Sequence, residues 1–197
     1  MRDNYLPFDI GRRFTIVPPD NLSVADNRIQ LIMDRGAFGS GEHETTQSCL
    51  EILETLPVNN NQKILDLGSG TGILTIAALL LNPGRAWCVD IEQSAITSCK
   101  RNCRRNKVDQ QITHVCGILD QLEEDNFNLI LANIYGDILL DVAEDLINKA
   151  ETGTRLLLSG ILWEYNFDVR QKYQKLGCRL IKNQLLDEFS TVLLQKQ

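Results

Sequence analysis

Three glycines at alternate positions, Gly68, Gly70 and Gly72, follow the aliphatic run Ile64-Leu65-Asp66-Leu67 and precede the helix-like stretch Ile73 to Leu81. Glycine admits left-handed backbone and the close approach of a ligand, because no Cβ stands in the way. The start of the helix behind such a turn offers amide donors to that ligand. The pattern here is G-x-G-x-G, and the dinucleotide pattern G-x-G-x-x-G fails at Ile73. Eighteen residues beyond Gly72, the run Trp87-Cys88-Val89 ends on Asp90. An acid at that strand end can accept both hydroxyls of an adenosine ribose. Asp also caps helices, but with the glycine turn upstream both halves of one nucleoside site are present, which favours ribose binding.

Asn133, in Leu131-Ala132-Asn133-Ile134-Tyr135, closes a further aliphatic run. Ligands of parallel sheets lie at the carboxyl ends of the strands. There the Asn133 carbonyl could accept a hydrogen bond from an attacking N–H and aim the nitrogen lone pair. An Asn that merely ends a strand in a turn is the ordinary alternative. Upstream, three glycines around a Phe in Gly36 to Gly41, then His43 and the pair Thr45-Thr46, suggest an ordered loop folding over a ligand at the start of a helix running from Gln47 to Leu56. His43 has the chemistry of a base. Nothing in the sequence pairs with it, so a structural hydrogen bond is the expected role.

The six cysteines form no C-x-x-C pair, and only His43 and His114 accompany them, so no metal site is expected; one would need unrelated segments to converge. Cys99 and Cys103 are four apart and share a helix face, where buried thiols pack as small hydrophobes. The basic run Lys100 to Lys107 is expected to be a solvated helix face, and Trp87 and Trp163 to be packing residues.

These groups need a scaffold. Expected strands are Lys63 to Leu67, Ala86 to Asp90, Ile112 to Cys116, Asn128 to Ala132 and Thr154 to Ser159, with helices between them. In Asp137 to Lys149 the apolar residues Ile138, Leu139, Val142, Leu146 and Ile147 recur at helical spacing. After a helix around Phe167 to Leu176 come Cys178 to Lys182 and Thr191 to Leu194, which have no room for a helix between them and so must be antiparallel. The expectation is an α/β, Rossmann-like seven-stranded sheet, parallel with one antiparallel strand. Residues 1–33, with a short strand Phe14 to Val17 stopped by Pro18-Pro19, are expected to be a lead-in and linker, and 34–197 a single domain.

The chain has 197 residues, 43% of them hydrophobic, and a net charge of −6. The charge disfavours a nucleic-acid binder and suits a basic partner. The absence of a secretory pattern or of an apolar run of about 18 residues makes the cytoplasm the expected location and a membrane an unexpected partner.

The G-x-G-x-G turn after an acidic strand end resembles motif I of S-adenosylmethionine-dependent class I methyltransferases. From Asp34 onward the chain is similar to the catalytic domain of the PrmA family, which methylates the eleventh protein of the large ribosomal subunit. Ala37-Phe38-Gly39-Ser40-Gly41-Glu42-His43-Glu44-Thr45-Thr46 resembles the family's A-F-G-T-G-x-H-x-T-T, with Ser40 replacing Thr. Leu65 to Leu74, Val89-Asp90-Ile91, Ala132-Asn133-Ile134 and Leu158 to Leu162 complete the match, with Glu92-Gln93 where the family often has Asp-Pro. The resemblance implies S-adenosyl-L-methionine as cofactor. It implies cofactor contacts at Thr46, Gly68, Asp90 and Asn133. Phe38, Gly39, Asp66, Ser69, Gly70 and Ile91, beside them in the same motifs, are expected to contact the cofactor too, and Asn133, from its place at the strand end, to be catalytic. It further implies methylation of lysine and α-amino groups on a ribosomal protein. Family members carry an N-terminal substrate-recognition domain, whereas only Met1 to about Arg28 precedes the catalytic part here, so the ribosomal substrate is expected on family grounds alone. Two rivals stand beside this reading. One is a methyltransferase for nucleic acid or a small molecule, against which Asn133-Ile134-Tyr135-Gly136 lacks the prolines of Asn-Pro-Pro-Tyr; the other is a catalytically silent cofactor-binding protein.

Overall fold

The computed structural model describes residues 6–20, 27–34 and 41–197. Strand β4 (Gln62–Leu67) is buried along nearly its whole length, as a central parallel strand covered on both faces must be. Its aliphatic side chains leave it no exposed face. Around it a seven-stranded sheet is built from β5 (Gly84–Asp90), β6 (Ile112–Cys116), β7 (Phe127–Asn133), β8 (Ala150–Leu162), β9 (Cys178–Leu185) and β10 (Phe189–Lys196), in the order β6-β5-β4-β7-β8-β10-β9. Strands β6 to β8 pair in parallel, whereas β10 runs antiparallel to both its neighbours. The sheet thus has seven strands and one reversed strand, as expected, and each expected strand is present with wider bounds or the same ones.

Strand order reverses at β4, whose neighbours are β5 and β7. That switch point opens a crevice at the carboxyl ends of the strands. Register decides what reaches it. Leu67 lies beside Val89 on one side and Ala132 on the other, so the next residues, Gly68, Asp90 and Asn133, emerge together at one edge.

Helices α1 (Glu44–Leu53), α2 (Ile73–Leu81), α3 (Gln93–Arg105) and α6 (Trp163–Lys175) cover the sheet. The helix read from Asp137 to Lys149 is instead two, α4 (Gly136–Asp141) and α5 (Ala143–Lys149), with Val142 between them. The buried Tyr173 hydroxyl on α6 donates to Leu139 O at 3.0 Å. An unbroken helix would offer that carbonyl to the amide of residue 143, and a side chain inserted into the ladder is a recognised cause of a kink.

The N-terminal segment contains more structure than one strand. Three short strands, β1 (Phe8–Ile10), β2 (Phe14–Val17) and β3 (Ile29–Ile32), form their own small sheet, antiparallel then parallel. Ile10, Phe14, Ile16, Leu31 and Met33 are buried in the same apolar cluster as residues of α1 and α2. Asp34 extends this attachment through ion pairs with Arg101 and Arg105 of α3, both at 2.5 Å. Two members of the basic run are therefore tied down.

Candidate functional site

A cleft of about 600 Å³ opens where the sheet order reverses. The turn after β4 forms its floor. Gly68 has φ +69, and a Cβ there would lie 2.3 Å from Ile134 Cγ2, so both conformation and packing demand glycine. Gly70, with φ +54, would place a Cβ no nearer than 4.0 Å to Gly68 O. The room left at Gly70 belongs to the cleft, and Gly70 lines it. Beside it Ser69 Oγ is buried with no hydrogen-bond partner among the described residues, a cost that a ligand oxygen or nitrogen would relieve.

Asp90 accepts from Gly70 N at 2.8 Å through one oxygen and from Glu92 N at 3.0 Å through the other. The carboxylate therefore braces the glycine turn and opens α3. An ionised carboxylate has about four acceptor positions, so two amide bonds leave capacity for ribose hydroxyls. Capping and ligand binding are compatible in this one residue.

Asp66 sits beneath the turn, 2% exposed, and accepts from Thr75 Oγ1 at 2.6 Å. Burial raises its pKa to about 6; hydrogen bonds from Thr75 pull it down, and the charge of Asp90 pushes it up. Opposite, Asn133 Nδ2 donates to Thr46 Oγ1 at 3.4 Å. That bond orients the amide and leaves its carbonyl oxygen for another donor.

Thr46, Asp66, Gly68, Ser69, Gly70, Asp90, Ile91 and Asn133 all line this single cleft. Phe38 and Gly39 lie outside the described residues. His43 lines the cleft too, but its Nδ1 accepts from Thr45 N at 3.3 Å as the N-cap of α1, and its ring meets Phe189 edge-on at 5.3 Å. The structural hydrogen bond expected for it is what the geometry provides. Trp87 packs edge-on against Phe127 at 5.5 Å, whereas Trp163 is 55% exposed, contrary to the packing role expected of it.

Sequence reasoning passed over six residues of the lining, in three segments. Gly117, Ile118 and Leu119 follow β6 directly, and a glycine at a third strand end was an available signal. Ile134 and Tyr135 continue from Asn133. Phe189 comes from the C-terminal hairpin and has no local signature, because only the tertiary fold brings it to α1.

The sequence model of the family described as ribosomal protein L11 methyltransferase (PrmA) matches residues 1–197. A ribosomal protein L11 methyltransferase of Staphylococcus epidermidis is 36% identical over 182 residues, covering 90% of this chain and 58% of that protein. The chain thus spans about three-fifths of the length of that curated relative. The crystal structure of a ribosomal protein L11 methylase from Lactobacillus delbrueckii subsp. bulgaricus superposes with a TM-score of 0.87 at 24% identity, covering 98% of this chain and 99% of that one. An S-adenosylmethionine-dependent O-methyltransferase from Thermotoga maritima shares the fold at a TM-score of 0.66 and 11% identity, over 76% and 64% of the two chains. With the family model matching from end to end and the cleft built from the expected turn, acid and amide, the chain belongs to the ribosomal protein L11 methyltransferase (PrmA) family.

Proposed function

We propose that this chain is the catalytic part of an S-adenosylmethionine-dependent protein N-methyltransferase that acts on amine nitrogens of a ribosomal protein. The observation that carries the reading is the convergence of the glycine turn, Asp90 and Asn133 in one cleft at the switch point. Two features of the cleft fit S-adenosylmethionine: the open space over Gly70 and the unpartnered Ser69 Oγ. When bound, the cofactor supplies a methyl group on a positively charged sulfur.

The chain's own residues do the rest. Asp90 accepts the ribose hydroxyls while its bonds from Gly70 N and Glu92 N brace the turn and the start of α3. Ionised Asp66 favours a cationic ligand in the cleft. Asn133 accepts from the incoming amine N–H and points its lone pair along the line of transfer. A lysine, with an ordinary pKa of about 10.4, must first lose a proton, which an apolar cleft favours. No dedicated base is needed for such a reaction, in keeping with His43 serving as a cap. Residues 34–197 form the catalytic unit in this proposal, with 1–33 as the lead-in that braces it. The wider S. epidermidis relative is named for ribosomal protein L11, and that protein is the first substrate to try.

The test is calorimetric titration with S-adenosylmethionine, followed by transfer of labelled methyl groups to purified ribosomal protein L11. The chain is assayed alone and fused to a family recognition domain. Cofactor binding by both, with transfer much faster in the fusion, is the expected result, since remote contacts hold the amine in line. Binding without transfer in either form supports a silent cofactor-binding protein. Transfer to RNA and not to protein overturns the substrate assignment.

A further inference from the structure

Behind the glycine turn, three elements far apart in sequence bring sulfur and nitrogen together. Cys88 on β5 and His114 on β6 are lateral partners in the parallel register, so their side chains leave the same face of the sheet. Helix α3 packs on that face and presents Cys99 and Cys103, one turn apart. The sulfurs of Cys88 and Cys99 and a ring nitrogen of His114 all lie within 4.8 Å of one another. Cys103 Sγ is 3.7 Å from Cys99 Sγ.

We propose that Cys88, Cys99, Cys103 and His114 form a binding site for one Zn²⁺ ion, separate from the cofactor cleft. A tetrahedral zinc, with bonds of about 2.3 Å to sulfur and about 2.0–2.1 Å to nitrogen, sets its ligand atoms about 3.5–3.8 Å apart. The Cys99–Cys103 separation already has that value, the separations among Cys88, Cys99 and His114 need to contract by about 1.3 Å at most, and Cys103 must turn its thiol toward the other two to complete the set. Three thiolates and an imidazole are a donor set that selects zinc over the harder cations.

A further observation points to a ligand. His114 Nδ1 is buried with no hydrogen-bond partner among the described residues. A buried nitrogen in that state has lost its water without replacement, and a metal ion would take its lone pair. The cationic side chains of Lys100 and Arg104 stand near the ring. Metal entry displaces one proton from each of the three thiols to solvent and leaves a site of net charge −1, which Lys100 and Arg104 offset. The ion would join β5, β6 and α3 directly behind the turn, where a Cβ on Gly72 would meet Cys99 Sγ at 2.5 Å.

The experiment uses the full chain, reduced and stripped with a chelator, then titrated with Co²⁺ as a spectroscopic probe and with Zn²⁺ in competition. One equivalent of Co²⁺ should give sulfur-to-metal charge transfer and the intense visible bands of tetrahedral cobalt, lost on adding Zn²⁺. Zn²⁺ should raise the melting temperature in proportion to the logarithm of its concentration. His114→Gln, at a partly buried position, should retain its circular dichroism and S-adenosylmethionine affinity while metal affinity falls at least about tenfold. Cys88→Ser should weaken the charge-transfer band by about a third, one of three thiolates being lost, and Cys116→Ser, an exposed thiol outside the cluster, should keep it whole. Absence of the band in the parent chain, a weak octahedral spectrum, or unchanged metal affinity in His114→Gln would overturn the proposal.

Discussion

Asp66→Asn isolates the energetic consequence of a buried acid under the cofactor turn. With the folded pKa near 6 and the ordinary value at 3.8, the difference is about 2 pKa units, or about 3 kcal/mol at about 1.36 kcal/mol per unit. Because the folded pKa is raised, the folded state holds the proton more tightly than the unfolded one. The stabilisation that results is fully present below about pH 4 and is lost as pH climbs through about 6. Above that window the folded protein carries the whole cost of a buried charge. Asparagine is never ionised, yet its carbonyl still accepts from Thr75 Oγ1. Urea unfolding of both proteins, without cofactor, at steps from about pH 4 to pH 7.5 should show Asp66→Asn gaining about 3 kcal/mol on the parent across that range. Taking the difference between the two removes the opposite pH dependence of carboxylates such as Asp34, whose pKa is lowered by Arg105 and Arg101 against the effect of burial. A stability difference that stays flat with pH would refute the raised pKa and the reasoning built on it.

Other substitutions separate binding, chemistry and scaffold. Asp90→Ala should weaken S-adenosylmethionine binding by about 1–3 kcal/mol, and it should also lower the melting temperature because Gly70 N and Glu92 N lose their acceptor. Calorimetry and thermal denaturation check the two effects, and unchanged affinity would reduce Asp90 to a cap. Asn133→Ala should lower turnover more than cofactor affinity; steady-state kinetics beside cofactor titration would show equal losses if its role were binding alone. Gly68→Ala should cost about 1–3 kcal/mol of backbone strain and at least about tenfold in cofactor affinity, since Ile134 must yield to the new methyl group; an unfolding midpoint equal to the parent's would count against both effects.

The sheet was legible because parallel strands buried on both faces read as aliphatic runs, and β4 runs into a glycine turn while β5 and β7 end on Asp90 and Asn133. Gly68, Asp90 and Asn133 could be grouped before any coordinates, since parallel register places strand ends side by side. What escaped the sequence depends on distance in the chain. β1 and β3 are three and four residues long, too short to show an alternation, and they are held by packing against α1 and α2. The break at Val142 follows from a hydroxyl thirty-one residues away at Tyr173, which no local periodicity reveals. Cys88, Cys99 and His114 have no metal-binding spacing in sequence and meet only through the register of β5 and β6 and the seating of α3. Trp163 misled for the opposite reason: its Nε1 donates to Phe189 O, yet its ring remains exposed.

The reversed strand β10 follows every other strand of the sheet in sequence yet lies between β8 and β9. Its first residue, Phe189, reaches His43 at the start of α1, and Glu44 of α1 accepts from Asp187 N in the preceding turn at 3.1 Å. The order of synthesis and the order in space are therefore at odds. A nascent chain that has emerged as far as β9 already contains Gly68, Asp90 and Asn133 but lacks Phe189 of the cleft wall and the strand that joins β9 to the sheet. The cleft is therefore complete only when β10, the last of these strands to be synthesised, is in the sheet and pairs β8 on one side and β9 on the other.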